Sequence, residues 1–395
     1  MNLKIIADQN IPCVEEAFGS LGTVTTMPGH QIDTGDVTDA DVLLVRSVTS
    51  VTPDLLDGSS VRFVGSATIG TDHVHQDFLK EENIAFAHAP GSNADSVADY
   101  VVAALLVLAR RRQVRLADRT VGVVGCGNIG GRLARRLSAL GLEVLRNDPP
   151  RVEAEGGSHN FVSLDDILQT ADVLTLHVPL TVEGRHPTRH LIGDEELRQV
   201  REGTWLLNTS RGSVIAPGSL RRAIEEGSLG GLVLDVWPNE PTPAPEFVTA
   251  ADLATPHIAG YAYDGKVRGT RMLYEALCDH LGVEPTWDPE AMLAPADPDT
   301  LRCVPPDPRL PATDALHRLA RQAYDVTEDD ARLRSALEGS SEGRGAAFRH
   351  LRKTYPRRRE FQTHSVPRRA VSETLRPAVA DGLTMQLTDR GRYDR

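Results

Sequence analysis

The stretch TVGVVGCGNIGGRLA, residues 120–134, decides the fold. Its first five residues are β-branched or glycine and read as a short buried strand. Gly125-x-Gly127-x-x-Gly130 follows at once, and GGRLARRLSAL then runs on with the period of an amphipathic helix. A GxGxxG alone is weak evidence, but between a strand and a helix it reads as a dinucleotide-binding loop. The first glycine makes the tight turn, the second lets the backbone approach a pyrophosphate, and the third lets helix and strand pack closely. The head of the helix adds unpaired N–H groups and the positive end of its dipole. Gly125, Gly127, Asn128, Ile129 and Gly130 are therefore the candidate cofactor cradle.

Working outward, EVLRND leads to Asp148, 18 residues beyond Gly130. A carboxylate there can accept hydrogen bonds from a ribose diol and would repel a 2′-phosphate, so NAD is favoured over NADP. Arg146 and Arg151 flank it and temper that preference. VLTLHV, WLLNTS and GLVLDV, with a short run near LATP, complete six strands. SLDDILQTA and SLRRAIEEG read as crossover helices, and Ser163 with Asp166 forms a capping box at the head of the first. Six strands with crossovers describe a doubly wound parallel α/β sheet. Ahead of the loop, LKIIAD, DVLLVR, VRFVGSA and IAFAHA read as an earlier strand series, followed by a long helix in SNADSVADYVVAALLVLARRR. DGKVRGTRMLYEALCDHLG reads as a helix after the sheet. From about residue 284 proline and acid dominate, as in a connector. Beyond it TDALHRLARQAYDV has a weak helical period, and the last thirty residues have little periodicity. Residues 344–369 hold nine Lys/Arg against one Glu and read as a solvated charged face.

Length and composition set outer limits. A chain of 395 residues exceeds one ordinary core, so two or three domains are expected. A net charge of −12 argues against a general nucleic-acid or membrane-surface binder. The longest apolar run, YVVAALLVLA, is about half of a membrane span and reads as a buried helix. The four cysteines form no CxxC pair or disulfide framework, which fits a reducing compartment, and the cytoplasm is expected. His73, His75 and His88 lack metal-ligand spacing, and no metal is expected.

Ligands of open α/β sheets bind beyond the carboxyl ends of the strands. Arg211 follows WLLNTS, Asp235 ends GLVLDV with Glu240 five residues on, and His257 follows LATP. Three successive strand ends thus deliver Arg, Asp/Glu and His to the edge that holds the glycine loop. Moving a hydride between a secondary alcohol and a nicotinamide needs a base for the hydroxyl proton, and histidine works near neutral pH. A carboxylate on its other ring nitrogen fixes the tautomer and stabilises the imidazolium. An arginine can clamp a substrate carboxylate through two hydrogen bonds. His257, Glu240 and Arg211 are the candidate base, partner and clamp. Arg46, at an earlier strand end beside Ser47, is a further cation and a candidate contact for an anionic substrate.

GCGNIG, NTSRG, LDVWPNEP and TPHIAG together resemble the D-2-hydroxyacid dehydrogenases. The resemblance implies an α/β fold with a doubly wound NAD domain inserted in a smaller flavodoxin-like substrate domain, and an Arg-Glu-His site at Arg211, Glu240 and His257. ADQNIP, VRSVTSV, FVGSATIGTDHV, APGSNADSVADYV, NDPPR and HIAGYAYDGKVRGT are similar to one branch of that family, whose members oxidise a phosphorylated hydroxyacid and carry a further C-terminal α+β dimerisation domain. That likeness implies substrate contacts from Ser47, Thr68 and Tyr261, and an NAD site lined by Asp148, Val178, Thr209, Ser210, Arg211, Asp235 and Gly260. It implies a homodimer divided as residues 1–98 with 257–285, 99–256, and 286–395. Two other readings stand beside it: another hydroxyacid dehydrogenase such as a phosphoglycerate dehydrogenase, and an NAD-responsive regulatory protein on the same fold.

Overall fold

Short β-branched runs become parallel strands in both halves of the molecule. The computed structural model describes residues 2–156, 160–295, 298–338 and 343–389. It separates into two units, Met1–Asn93 with Ala262–Pro298, and Ala94–Tyr261 with Asp299–Arg395.

The first unit is a five-stranded sheet: β1 (Leu3–Asp8), β2 (Gly22–Met27), β3 (Val42–Val45), β4 (Phe63–Ser66) and β5 (Ala85–His88). Their order is β2-β1-β3-β4-β5, all parallel. β3 and β4 are buried at every position, as central strands covered on both faces must be. β2 is the strand that the sequence hides: GTVTTM lies at the edge, is only partly buried and has no run of large apolar side chains. Leu273, Tyr274, Leu277 and Cys278 of the helix Tyr263–Leu281 pack with Ile5, Phe18 and Phe63 on one face of the sheet. Tyr274 meets Phe18 edge-on at 5.7 Å between ring centroids.

The second unit is built on β6 (Thr120–Val124), β7 (Glu143–Asn147), β8 (Val173–Leu176), β9 (Thr204–Asn208), β10 (Leu229–Leu234) and β11 (Leu253–Ala254). The order β11-β10-β9-β8-β6-β7, all parallel, reverses direction between β6 and β8. That reversal is the topological switch point at which such sheets take ligands. Helix Ala94–Arg111 is buried nearly all round, which explains its unbroken apolar run. Ser163 and Asp166 make the capping box: Ser163 Oγ accepts from the Asp166 amide at 3.0 Å, and the Asp166 carboxylate accepts from the Ser163 amide at 3.1 Å.

The segment after Asp299 folds into this second unit. Helix Ala312–Ala323 sets Leu316 and Leu319 in one core with Leu105 and Leu108 of the long helix. Helices Val326–Leu337 and Arg344–Lys353 contribute Leu333 and Phe348 to the other core, with Leu232 and Phe247. Two short parallel strands, β12 (Ser365–Pro367) and β13 (Gln386–Thr388), lie in the region without sequence periodicity, and Val366, Val379 and Leu383 around them are fully buried.

Candidate active site

The glycine loop turns directly out of β6. Gly125 sits at φ 86, a left-handed angle that disfavours a side chain, and a Cβ there would fall 2.6 Å from the carbonyl oxygen of His177. At Gly130 a Cβ would stand 1.9 Å from the Gly125 carbonyl oxygen, so helix Asn128–Ala139 can approach the strand only with glycine there. At Gly127 a Cβ would meet nothing within 4 Å. The loop is thus tight behind and open in front, and no side chain caps the helix head at Gly127. Asp148 follows β7, accepting from the Cys126 amide at 2.7 Å and the Arg151 amide at 3.1 Å. These backbone bonds fix its carboxylate beside the loop. Arg151 is bound to Glu155 and to the Cys126 carbonyl at 2.9 Å, and it lies over Phe161. Its guanidinium is engaged by protein groups, while Arg146 is exposed. Val178, just after β8, abuts the loop: a Cβ on Gly125 would be 2.8 Å from its Cγ1.

β9 ends in Asn208, whose side chain organises the following turn. Its Oδ1 accepts from the Ser210 amide and hydroxyl at 3.0 and 2.9 Å, and its Nδ2 donates to the Arg211 carbonyl at 2.9 Å. Thr209 and Ser210 are buried. Arg211 Nη1 donates to the Ser210 carbonyl at 2.9 Å. Gly212 is pressed on the Trp237–Pro238 backbone, where a Cβ would lie 2.0 Å from the Trp237 carbonyl carbon, so the turn carrying Arg211 lies against the segment leading to Glu240. Nearby His177 is a core residue bonded to Thr175 at 2.9 Å, and burial pushes its pKa down to about 3, which keeps it neutral.

Asp235 follows β10, and its carboxylate, 1% exposed, ties down the next strand end. It accepts from the Thr255 hydroxyl at 2.6 Å, the Ile258 amide at 2.8 Å and the Ala259 amide at 2.9 Å, and its carbonyl accepts from the His257 amide at 2.7 Å. His257 lies 2.7 Å through Nδ1 from Glu240 Oε2, and Glu240 Oε1 accepts from the Trp237 amide at 3.0 Å. Burial raises the Glu240 carboxyl, but the His257 charge and hydrogen bond, the Trp237 amide and Arg352 outweigh it, and the net pKa is lowered. With Nδ1 engaged, Nε2 is the nitrogen left for proton exchange. Gly260 and Tyr261 follow in the same turn.

The sequence reading missed two residues here, both in the basic run expected to be a solvated face. The Arg352 guanidinium lies 5.3 Å from the centroid of Tyr261, and Tyr355 meets the same ring edge-on. Arg358, 7% exposed, donates through Nη2 to the Ala259 carbonyl at 2.5 Å. The available signal was the apolar interleaving of Phe348, Leu351, Tyr355 and Phe361 among the arginines, which marks a packed segment. The remaining candidates belong to the first unit. Arg46 and exposed Ser47 directly follow β3, and Thr68 follows β4, its hydroxyl 2.7 Å from Ser66 Oγ and donating to the Gly70 carbonyl at 2.8 Å.

Residues 99–259 match the D-isomer specific 2-hydroxyacid dehydrogenase NAD binding domain, and residues 305–377 match a domain of unknown function. The chain is 61% identical over 389 residues to the erythronate-4-phosphate dehydrogenase of Salinibacter ruber, covering 98% of this chain and 99% of that one. It is 48% identical over 359 residues to that of Azotobacter vinelandii, covering 91% and 93%. Among solved structures it resembles D-lactate dehydrogenase from Aquifex aeolicus, complexed with NAD and lactic acid, at TM-score 0.59 and 25% identity over 71% of this chain and 96% of that one. The TT0316 protein of Thermus thermophilus matches at TM-score 0.62 and 26% identity over 72% and 98%.

Proposed function

The chain belongs to the erythronate-4-phosphate dehydrogenases within the D-isomer specific 2-hydroxyacid dehydrogenase family, and from that we propose that it oxidises the C2 hydroxyl of 4-phospho-D-erythronate to give 2-oxo-3-hydroxy-4-phosphobutanoate, a step toward pyridoxal 5′-phosphate. The observation that carries the reading is the His257–Glu240 contact of 2.7 Å at a strand end of an NAD-binding sheet. When bound, NAD would supply the acceptor for the hydride that leaves C2. The open front of Gly127, the tight turn at Gly125 and the fixed carboxylate of Asp148 suit its pyrophosphate and ribose.

His257 Nε2 takes the C2 hydroxyl proton, and Glu240 stabilises the imidazolium that forms. Arg211 pairs with the substrate carboxylate and polarises the forming carbonyl. Tyr261 contacts the substrate, and Ser47, Thr68 and Arg46 serve its anionic end, Arg46 being the cation for the phosphate. Asn128, Ile129, Gly130, Val178, Thr209, Ser210, Asp235 and Gly260 line the cofactor site. The same reading makes the protein a cytoplasmic homodimer. Four unpaired cysteines fit a reducing compartment, and no described helix is long and apolar enough to cross a membrane.

Purified protein with NAD and 4-phosphoerythronate is expected to form NADH, and 3-phosphoglycerate to give much less. Equal turnover of both substrates would favour a phosphoglycerate dehydrogenase, and none with either would favour a regulatory role. His257→Ala and Arg211→Ala are each expected to lose about a hundredfold or more in kcat/KM while NAD binding survives.

A further inference from the structure

We propose that Arg358 is a positioning residue for the acid–base site: it clamps the Ala259 carbonyl and so holds His257 in the orientation that Glu240 needs. This rests on the reading of His257 as the base. His257 has φ 57, a left-handed backbone angle that a non-glycine residue keeps only where its neighbours over-determine it. On the N–H side the over-determination comes from Asp235, which receives the amides of His257, Ile258 and Ala259. On the carbonyl side Arg358 Nη2 donates to Ala259 at 2.5 Å. The Ala259 residue is therefore gripped through both polar atoms, by an anion at its nitrogen and a cation at its oxygen. Freed on one side, the turn can relax toward an ordinary backbone angle and carry the imidazole away from Glu240.

Arg358 is itself held firmly. Its guanidinium lies 4.2 Å from the centroid of Tyr324, and Nη2 also reaches the Ser96 carbonyl at 3.3 Å. Asp329 and Asp99 supply the counter-charge. Asp329 accepts from the Tyr324 and Tyr355 hydroxyls at 2.8 and 2.7 Å and from Arg332 at 3.0 Å, while Asp99 accepts from Arg136 at 2.6 Å and from the Phe361 amide at 2.9 Å. Among the described residues, Arg358 Nη1 is buried without an acceptor. A permanently charged group buried with so few direct acceptors is expensive to keep, and packing alone would be served as well by an apolar side chain. Its shortest contact with an acceptor is the one to the Ala259 carbonyl. The segment matched to a domain of unknown function thus carries a part of the active-site support.

The test compares Arg358→Met, Arg358→Lys, Tyr324→Phe and His257→Ala in the full chain. Arg358→Met is expected to lower kcat about tenfold or more, with KM for NAD changed less than about twofold. Arg358→Lys keeps a donor and a charge and should recover part of the loss. Tyr324→Phe keeps the ring under Arg358 but removes the bond to Asp329; it should lower the melting temperature and leave kcat near native. Native kcat in Arg358→Met, beside an inactive His257→Ala, overturns the positioning role and leaves the base assignment standing. An equal kcat loss in Tyr324→Phe also overturns it, by showing that general packing is the cause. An active His257→Ala sinks the reading beneath the proposal.

Discussion

Glu240 gives His257 its direction. Without it, either ring nitrogen could carry the proton and the imidazole could turn. The carboxyl is pushed up by burial, then pulled below its ordinary value of 4.5 by His257, the Trp237 amide and Arg352. A folded pKa that is depressed contributes stability that is complete above the ordinary value and is lost as pH falls through the folded one. Glu240→Gln is therefore expected to destabilise the protein by about 1.5–3 kcal/mol at neutral pH, the range for a hydrogen bond to a charged group. The gap between native and variant should close as pH falls below 4.5 and through the lowered folded value. Urea unfolding at several pH values reads this, and a gap that widens below pH 4.5 would show that the carboxyl does not titrate as the geometry requires. In activity, glutamine can turn its N–H group toward Nδ1 and hold the wrong tautomer, so kcat should fall about a hundredfold or more.

The glycine turn shows how one element serves two purposes. Gly130 is required by packing, because its Cβ would collide with the Gly125 carbonyl, whereas Gly127 faces open space. Gly130→Ala should lower the melting temperature by several degrees, the effect of overpacking by about 1–3 kcal/mol. Gly127→Ala should keep the melting temperature within a degree or two and weaken NAD binding about tenfold or more. Thermal melts and NAD titration of the two variants separate the roles, and the opposite pattern would contradict this division. This motif was legible because strand, glycines and helix are neighbours in the chain. The six strand ends of the second sheet were legible too, since most of these strands are short, mainly apolar runs that stop at a glycine or a polar residue. β2 was not, because an edge strand needs little apolar surface and GTVTTM has little. Arg352 and Arg358 stayed hidden because their partners, Tyr261 and Ala259, lie about a hundred residues away along the chain, and composition made the run look solvated.

At the scale of the whole molecule, the segment after Asp299 and the dinucleotide sheet share their apolar cores. Leu316, Leu319, Tyr324, Val326, Phe361 and Val366 are each less than 9% exposed and lie in one cluster with residues of helices Ala94–Arg111 and Asn128–Ala139. Burying such a side chain is worth about 1.5–3 kcal/mol, so six of them rival the roughly 5–15 kcal/mol by which a domain is stable. The same segment brings Arg334, whose guanidinium donates to the Val248 and Ala251 carbonyls at 2.6 and 2.7 Å, and Asp330, which accepts from the Ala254 amide in β11 at 2.8 Å. β11 runs toward the His257 turn, so losing these bonds would loosen the strand that presents the proposed base. A chain ended after Val304 is therefore expected to bare the outer face of the long helix, and to aggregate or melt at least about 10 °C below the full chain if it stays in solution. It should also lack dehydrogenase activity. Expression of that truncation, followed by a thermal melt and NAD titration, checks the point. A monodisperse product with the native melting temperature and native NAD affinity would mean that the segment is a detachable appendage, and that the shared core contributes little to holding the catalytic sheet.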